Sequence, residues 1–472
     1  MRHYIVLAVV GLSMLTGSCS KFLEESTQSE LVPRSAESLN EYLLGDAYPN
    51  EFEINPLEMY LNDDIGMFAY LTTTTTQEVY TWQPNMLETG QGAASGQSTW
   101  KALYAAIQAC NTTLDYLPKV EGTGPFKKYV AGQAHLLRAF YYFNLVNIYG
   151  LPYNDKLSDP KTNLAVPLLL SGGVETSFKA RNTVAEVYTQ IEKDLQEGTA
   201  LIDESKQVHS KYRFGSAAAH LLASRVYLFM EKWDEVIKHT EPLLNGPYQL
   251  MDLRNWGEVN PLQKPVISVD NPETIWAFGK KGDVVMEHIF VYRMSMELME
   301  SYSEGDLRHG IYWADGITKK LYIGEIGAKS AQAFRLSEAY LNRAEALAQL
   351  YKQGNTEAGQ KCVNLINSLR EKRFQADKYM PWKLETLSKG LLQSIRDERR
   401  RELYSEGGRW FDLRRYGMPR IEHRFFSSTA QNESYILEER DPSYVIPLPL
   451  RVINLNPKLV QNPLSPIRQP KK

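Results

Sequence analysis

Residues 331–373 read AQAFRLSEAYLNRAEALAQLYKQGNTEAGQKCVNLINSLREKR, and this stretch decides the fold class. Leu336, Tyr340, Ala344, Leu347 and Leu350 recur at steps of four and three, which places them on one face of an α-helix. Gly354-Asn355 interrupts the pattern, and Asn355 carries the short side-chain acceptor that suits a helix N-cap. A second helix then turns Ala358, Cys362, Leu365 and Leu369 inward. Ala339, Ala344, Ala346 and Ala348 are small enough to let two helices approach closely. The stretch therefore predicts a helical hairpin of the tetratricopeptide kind.

Working outward, the same unit recurs. Ala217 to Met230 forms one helix, and Trp233, Val236, Ile237, Thr240 and Leu244 mark the facing stripe of the next. Trp100 to Leu117 with Phe126 to Tyr149 gives another pair, and Thr183 to Ile202 a further helix. Pro118, Gly150, Pro152 and Pro242 punctuate these segments, and no strict 34-residue period survives. Residues 55–98, 245–329 and 420 onward are irregular and rich in Gly, Pro, Asn, Thr and aromatics, including the run Thr72 to Thr76. They are too long for plain connections, which points to functional loops on a helical scaffold. The expectation is a mostly α fold, with one domain over 35–472 and loop insertions at about 55–98 and 245–329.

The chain has 472 residues, and 53 Lys+Arg against 56 Asp+Glu leave a net charge of −3. That balance gives no electrostatic basis for nucleic-acid binding, and 43% hydrophobic content excludes wholesale disorder. At the N-terminus, Arg2 precedes a short apolar run, Tyr4 to Leu15, below the roughly 20 residues of a membrane span. It reads as a signal peptide over 1–18. Thr16-Gly17-Ser18-Cys19 resembles a bacterial lipobox, so Cys19 is the expected lipidated residue and 19–34 a tether. Cys110 and Cys362 then remain as buried free thiols in helical patterns rather than a bridge.

Catalytic constellations are not evident. The sequence contains no P-loop, no H-E-x-x-H and no dinucleotide fingerprint. Gly92-Ala-Ala-Ser95-Gly96 is one residue out of register for a nucleophile elbow. The eight histidines are scattered; His135 and His220 sit in helical patterns, and no pair has the spacing of metal ligands. Asn62-Asp63-Asp64 supplies carboxylates without a visible glycosidase partner. The densest charge cluster, Ile395 to Arg415 (IRDERRRELYSEGGRWFDLRR), interleaves Arg399, Arg400 and Arg401 with Asp397, Glu398, Glu402 and Glu406. Those spacings predict charges that compensate in place, a structural ion-pair network, with Gly407-Gly408 ending the helix and Trp410 and Phe411 as buried anchors.

Several motifs together resemble the SusD/RagB family of outer-membrane nutrient-binding lipoproteins. Ala134 to Gly150 (AHLLRAFYYFNLVNIYG) is similar to the family's long central helix and its stop, and Arg396 to Arg415 to its C-terminal signature. Leu336 to Ala346 resembles its late tetratricopeptide helix, and Ile446-Pro447-Leu448-Pro449, Asn456-Pro457 and Gln461-Asn462-Pro463 its tail. The resemblance implies a SusD-like helical scaffold and a surface lipoprotein that captures a glycan or other nutrient. It further implies delivery to a SusC-like TonB-dependent barrel, with no catalytic step and no obligatory cofactor, although a structural calcium ion occurs in some relatives. The readings that compete with it are a surface glycosidase and a helical-repeat adaptor for another protein.

The matched motifs are scaffold motifs, so the ligand site is nominated on physical grounds. Sugars offer C–H faces to a flat ring and hydroxyl rims to polar side chains. Loop aromatics outside the helical stripes are the candidates: Tyr80 and Trp82, then Tyr302, Tyr312 and Trp313. Gln83, Asn85, Asp306, Arg308 and Asp315 are their polar companions, while Trp100 and Trp276 read as core.

Overall fold

The computed structural model describes residues 33–471 apart from 51–53, 55–56, 71–75, 174–176, 208–209, 259–264, 280–290, 319, 321, 324–325, 328–331 and 430. The expected signal peptide, Cys19 and most of the threonine run lie outside the described residues. Ten helices carry the scaffold. They are α1 (Ala36–Tyr42), α2 (Gly90–Tyr116), α3 (Gly124–Tyr149), α4 (Val184–Ser205), α5 (Ser216–Phe229) and α6 (Trp233–Leu244), then α7 (Leu336–Lys352), α8 (Thr356–Glu371), α9 (Leu391–Leu403) and α10 (Arg409–Arg415). Helix α2 begins at Gly90, inside the range expected to be loop. Among the described residues no helix is long and apolar enough to cross a membrane.

Local chemistry explains the ends of these helices. Thr183 caps α4 through a reciprocal box, its hydroxyl accepting from the Glu186 N–H while Glu186 accepts from the Thr183 N–H. Asn355 accepts from the Ala358 N–H and starts α8, as its position predicted. The helices pack as neighbouring pairs: α2 on α3, α3 on α4, α5 on α6 and α7 on α8. The closest crossing is glycine on glycine. A Cβ at Gly198 would lie 2.7 Å from Leu136 Cγ, and one at Gly132 2.8 Å from Ile202 Cγ1, so only bare backbone lets α3 and α4 approach this far.

Five two-stranded antiparallel sheets decorate the helices among the described residues; besides two short hairpins within 313–327, they are β1 (Ile65–Met67) with β3 (Tyr292–Met294), β2 (Thr274–Phe278) with β4 (Gln332–Arg335), and β5 (Ile421–Phe426) with β6 (Asn432–Leu437). The stretches read as irregular thus contain short strands. Strand β2 is buried throughout, and Trp276 sits at the centre of an aromatic cluster with Phe140, Phe214, Phe278 and Phe334. Cys110 and Cys362 are both free and buried, and burial pushes the Cys362 thiol up to about 12.

The charged cluster is a structural network, as expected, but its partners are mostly not its own neighbours. Glu402 is completely buried, with Arg373, Arg335 and Arg308 within 2.9, 3.3 and 3.3 Å of its carboxylate and the Tyr312 hydroxyl donating to it. Burial opposes its charge, yet Arg373 and Arg335 hold it well below the usual carboxylate range. Arg415 clamps Glu345 of α7, and Arg399 binds both Asp412 and the Asn342 side chain. Within the segment, Arg401 with Glu398 and Arg415 with Asp412 show the expected three-residue spacing. Helix α9 also stops earlier than the glycines suggested, at Leu403; Gly407 (φ 75°) and Gly408 belong to the link into α10.

Candidate functional site

A groove of about 990 Å³ runs along β5. This strand alternates in burial: Ile421, His423 and Phe425 point inward, while Glu422 and Arg424 point out. Residues of β1, Phe68 after it and the turn at Ser295–Glu297 also line the groove, as do Gln393, Arg396, Asp397, Leu413 and Tyr416 of α9, α10 and the residue that follows. Phe68 and Met296 are the apolar surfaces open to water, 38% and 57% exposed.

Ion pairs fix the walls. Asp63 accepts two parallel hydrogen bonds from Arg409, at 2.7 and 2.8 Å. Arg400 binds Asp64 at 2.7 Å and reaches Glu297 at 3.0 Å, tying the β1 side to α9. Burial works against the Asp63 charge, but Arg409 and Arg400 outweigh it and keep its carboxyl below the usual range. Beneath this wall Glu58 is buried with no cation paired to it among the described residues; it accepts from the Trp410 N–H at 2.6 Å, and burial raises it to about 7.

His423 forms part of the groove floor. It is stacked between Tyr80 and Trp82, with ring centroids 4.2 and 4.1 Å away. Its two nitrogens face backbone carbonyls, Tyr80 O at 2.8 Å and Asn62 O at 2.9 Å. Burial pushes its pKa down to about 4, so at neutral pH one nitrogen donates and the other faces an oxygen it cannot satisfy.

The structure corrects the expectation of open ring faces at the nominated aromatics. Trp82 is 0% exposed, one face covered by His423 and its indole N–H donating to Leu61 O at 2.9 Å. Tyr80 borders the groove from beneath and is equally closed, its hydroxyl accepting from the Met67 N–H. Trp313 and Tyr312 are buried in a satellite core with Met251, Leu253 and Leu298. Arg308 and Asp306 are buried and bonded to each other at 2.7 Å, with Arg308 continuing to Glu398 and Glu402. Tyr302 is half-buried and donates to Arg401 O. Gln83 exchanges hydrogen bonds with the Arg468 backbone, while Asn85 and Asp315 stay exposed. Each of these corrections has one cause: polar loop composition did not reveal that the loops fold back onto ion pairs and rings.

Phe68, Met296, Arg396, Tyr416 and Arg424 were missed. The period-two pattern of Ile421 to Phe426 was the available signal, within a segment read as irregular. Two histidines distant in sequence also meet: His220 and His239, on α5 and α6, have ring nitrogens 3.0 Å apart. His135, Asp194 and Glu197 gather their ligand atoms within 4.8 Å, but Asp194 already holds the Arg138 guanidinium at 2.6 and 2.9 Å, which fills the place of a cation.

A family profile described as starch-binding associating with outer membrane matches residues 21–228, and a second, the SusD family, matches 304–464. The chain belongs to the SusD/RagB family. SusD-like proteins are carbohydrate-binding and non-catalytic, and the family is associated with the outer membrane. A SusD-like protein P2 from Formosa agariphila is 23% identical, covering 77% of this chain and 78% of its own. The fold is similar to that of a SusD superfamily protein from Bacteroides vulgatus (TM-score 0.72, 19% identity, 92% of this chain and 100% of that one). It is also similar to surface glycan-binding protein A from Bacteroides fluxus (TM-score 0.63, 19% identity, 91% and 100%). The SusD-family match at 304–464 spans α9 and α10, whose arginines hold the buried charge network.

Proposed function

We propose that this chain captures a glycan in the β5 groove at the cell surface and passes it to a SusC-like TonB-dependent barrel, held to the outer membrane by lipid on Cys19. The observation that carries this reading is the groove itself. It combines exposed apolar surface at Phe68 and Met296 with outward polar side chains on a strand, between walls held by buried ion pairs. Such a rigid surface suits a sugar, whose C–H faces meet the apolar patch while the hydroxyl rims meet the polar groups. A preformed site also avoids the ordering cost that a mobile one would incur on binding.

The test is titration calorimetry of the chain with a panel of oligosaccharides, alongside Phe68→Ala and Met296→Trp. Both positions are exposed, so the variants should fold. Phe68→Ala is expected to weaken binding about tenfold, the scale of one lost stacking contact at roughly 1.5 kcal/mol. Met296→Trp, which fills the groove, should abolish it. Unchanged affinity in both would place capture elsewhere, and release of shortened products would favour a glycosidase.

A further inference from the structure

The charges lining the groove are not evenly partnered. Its four acids are all engaged: Asp63 by Arg409, Glu297 by Arg400 at 3.0 Å, Asp397 by Lys389 at 3.2 Å and Glu422 by Arg420 at 3.0 Å. Glu422 also accepts from the Ser434 hydroxyl at 2.6 Å. Two of the four lining arginines are left over. Arg424 stands outward on β5, exposed, and among the described residues its side chain has no hydrogen bond or ion pair, its charge reaching Glu422 only through space. The acid nearest to it on the same strand face, Glu422, is the one already held by Arg420 and Ser434.

Arg396 is the second. Its guanidinium lies over the Tyr416 ring at 4.0 Å, its side chain is 21% exposed, and its buried Nε has no hydrogen-bond partner. The carboxylate closest to that Nε, Glu345 at 3.7 Å, is already clamped by Arg415 at 2.6 and 2.7 Å. Unused guanidinium N–H groups beside a stacked ring, in a groove whose own acids are neutralised, select for an anion that presents two acceptor oxygens.

Resting on the reading that a glycan occupies this groove, we propose that the ligand is an anionic saccharide, its carboxylate or sulfate groups held by Arg424 and Arg396. Neutral sugars would leave the Arg424 guanidinium to water and give Arg396 no anion beyond the shared Glu345.

The experiment is calorimetry of the full chain against three oligosaccharide probes: a galacturonate oligomer, a sulfated galactan oligomer and a neutral glucan oligomer, each in low and high salt. An anionic probe is expected to bind most tightly and to weaken as salt rises. Arg424→Ala and Arg396→Gln are each expected to lose about tenfold in affinity, the scale of one hydrogen bond to a charged group. Arg424→Lys, which keeps the charge and loses the planar fork, should lose less. The galacturonate and sulfated probes separate the two anion sources. If the neutral probe binds as tightly, is blocked by Met296→Trp and ignores the arginine variants, the anion inference fails while groove capture stands. Binding that survives Met296→Trp overturns the groove reading itself. Equal affinity for a poly-glutamate peptide through the same arginines would overturn the saccharide assignment.

Discussion

Arg399 to Arg401 on α9 and Arg424 on β5 are the same residue type in opposite circumstances. In the helix run each of the three guanidiniums has a carboxylate: Arg399 has Asp412, Arg400 has Asp64 and Glu297, and Arg401 has Glu398. On the strand Arg424 has none among the described residues. The helix cluster therefore builds the molecule, while the strand arginine keeps its guanidinium in solvent. A run of charge in a sequence is conspicuous because it must be balanced; a lone arginine in an alternating strand is inconspicuous and free.

Removing a hub carboxylate should give the largest effect. Glu402→Ala strands Arg308, Arg335 and Arg373 in the interior without their shared partner, which should cost about 5 kcal/mol. Urea denaturation of the variant measures this, and a loss below 1 kcal/mol would mean the cluster is no keystone. Trp82→Ala should follow at about 3–4 kcal/mol, the scale for emptying a buried indole, with the affinity of still-folded protein little changed. A variant that kept full stability yet lost ligand would restore Trp82 as a contact residue.

The third comparison sets Glu58 against its well-paired neighbours. Between its ordinary 4.5 and about 7 the folded protein keeps Glu58 protonated while the unfolded chain does not. The folded state binds the extra proton, so this residue's contribution to stability falls as pH rises through that window. Glu58→Gln, neutral throughout, should equal wild type near pH 4.5 and exceed it by about 2–3 kcal/mol above pH 7. Melting curves across pH 4.5–8 check it. Parallel curves for the two proteins would show that Glu58 is ionised in the fold. At the smallest end, Arg424→Ala should change stability by less than about 0.5 kcal/mol, since it surrenders no internal partner.

The helical scaffold was legible because its signal is periodic and local. Leu336 to Leu350, the Asn355 cap and the Thr183 helix start all follow from spacing and short polar side chains. The charged run at 395–415 was legible as structural, but its true partners, such as Glu345 for Arg415 and Asp63 for Arg409, lie 70 and 346 residues away, beyond any spacing rule. The ligand surface was the least legible part. Tyr80 and Trp82 sit in a polar loop sequence and are nevertheless sandwiched around His423, a residue more than 340 positions later. Long-range packing decides which rings remain open, and it left Phe68 rather than the tryptophans.

The most direct measurement is amide hydrogen exchange of the full chain with and without a bound oligosaccharide. The account predicts slowed exchange at 65–68, 295–297 and 420–426, the backbone around the groove. Protection confined to 302–315, with those three segments unaltered, would contradict it.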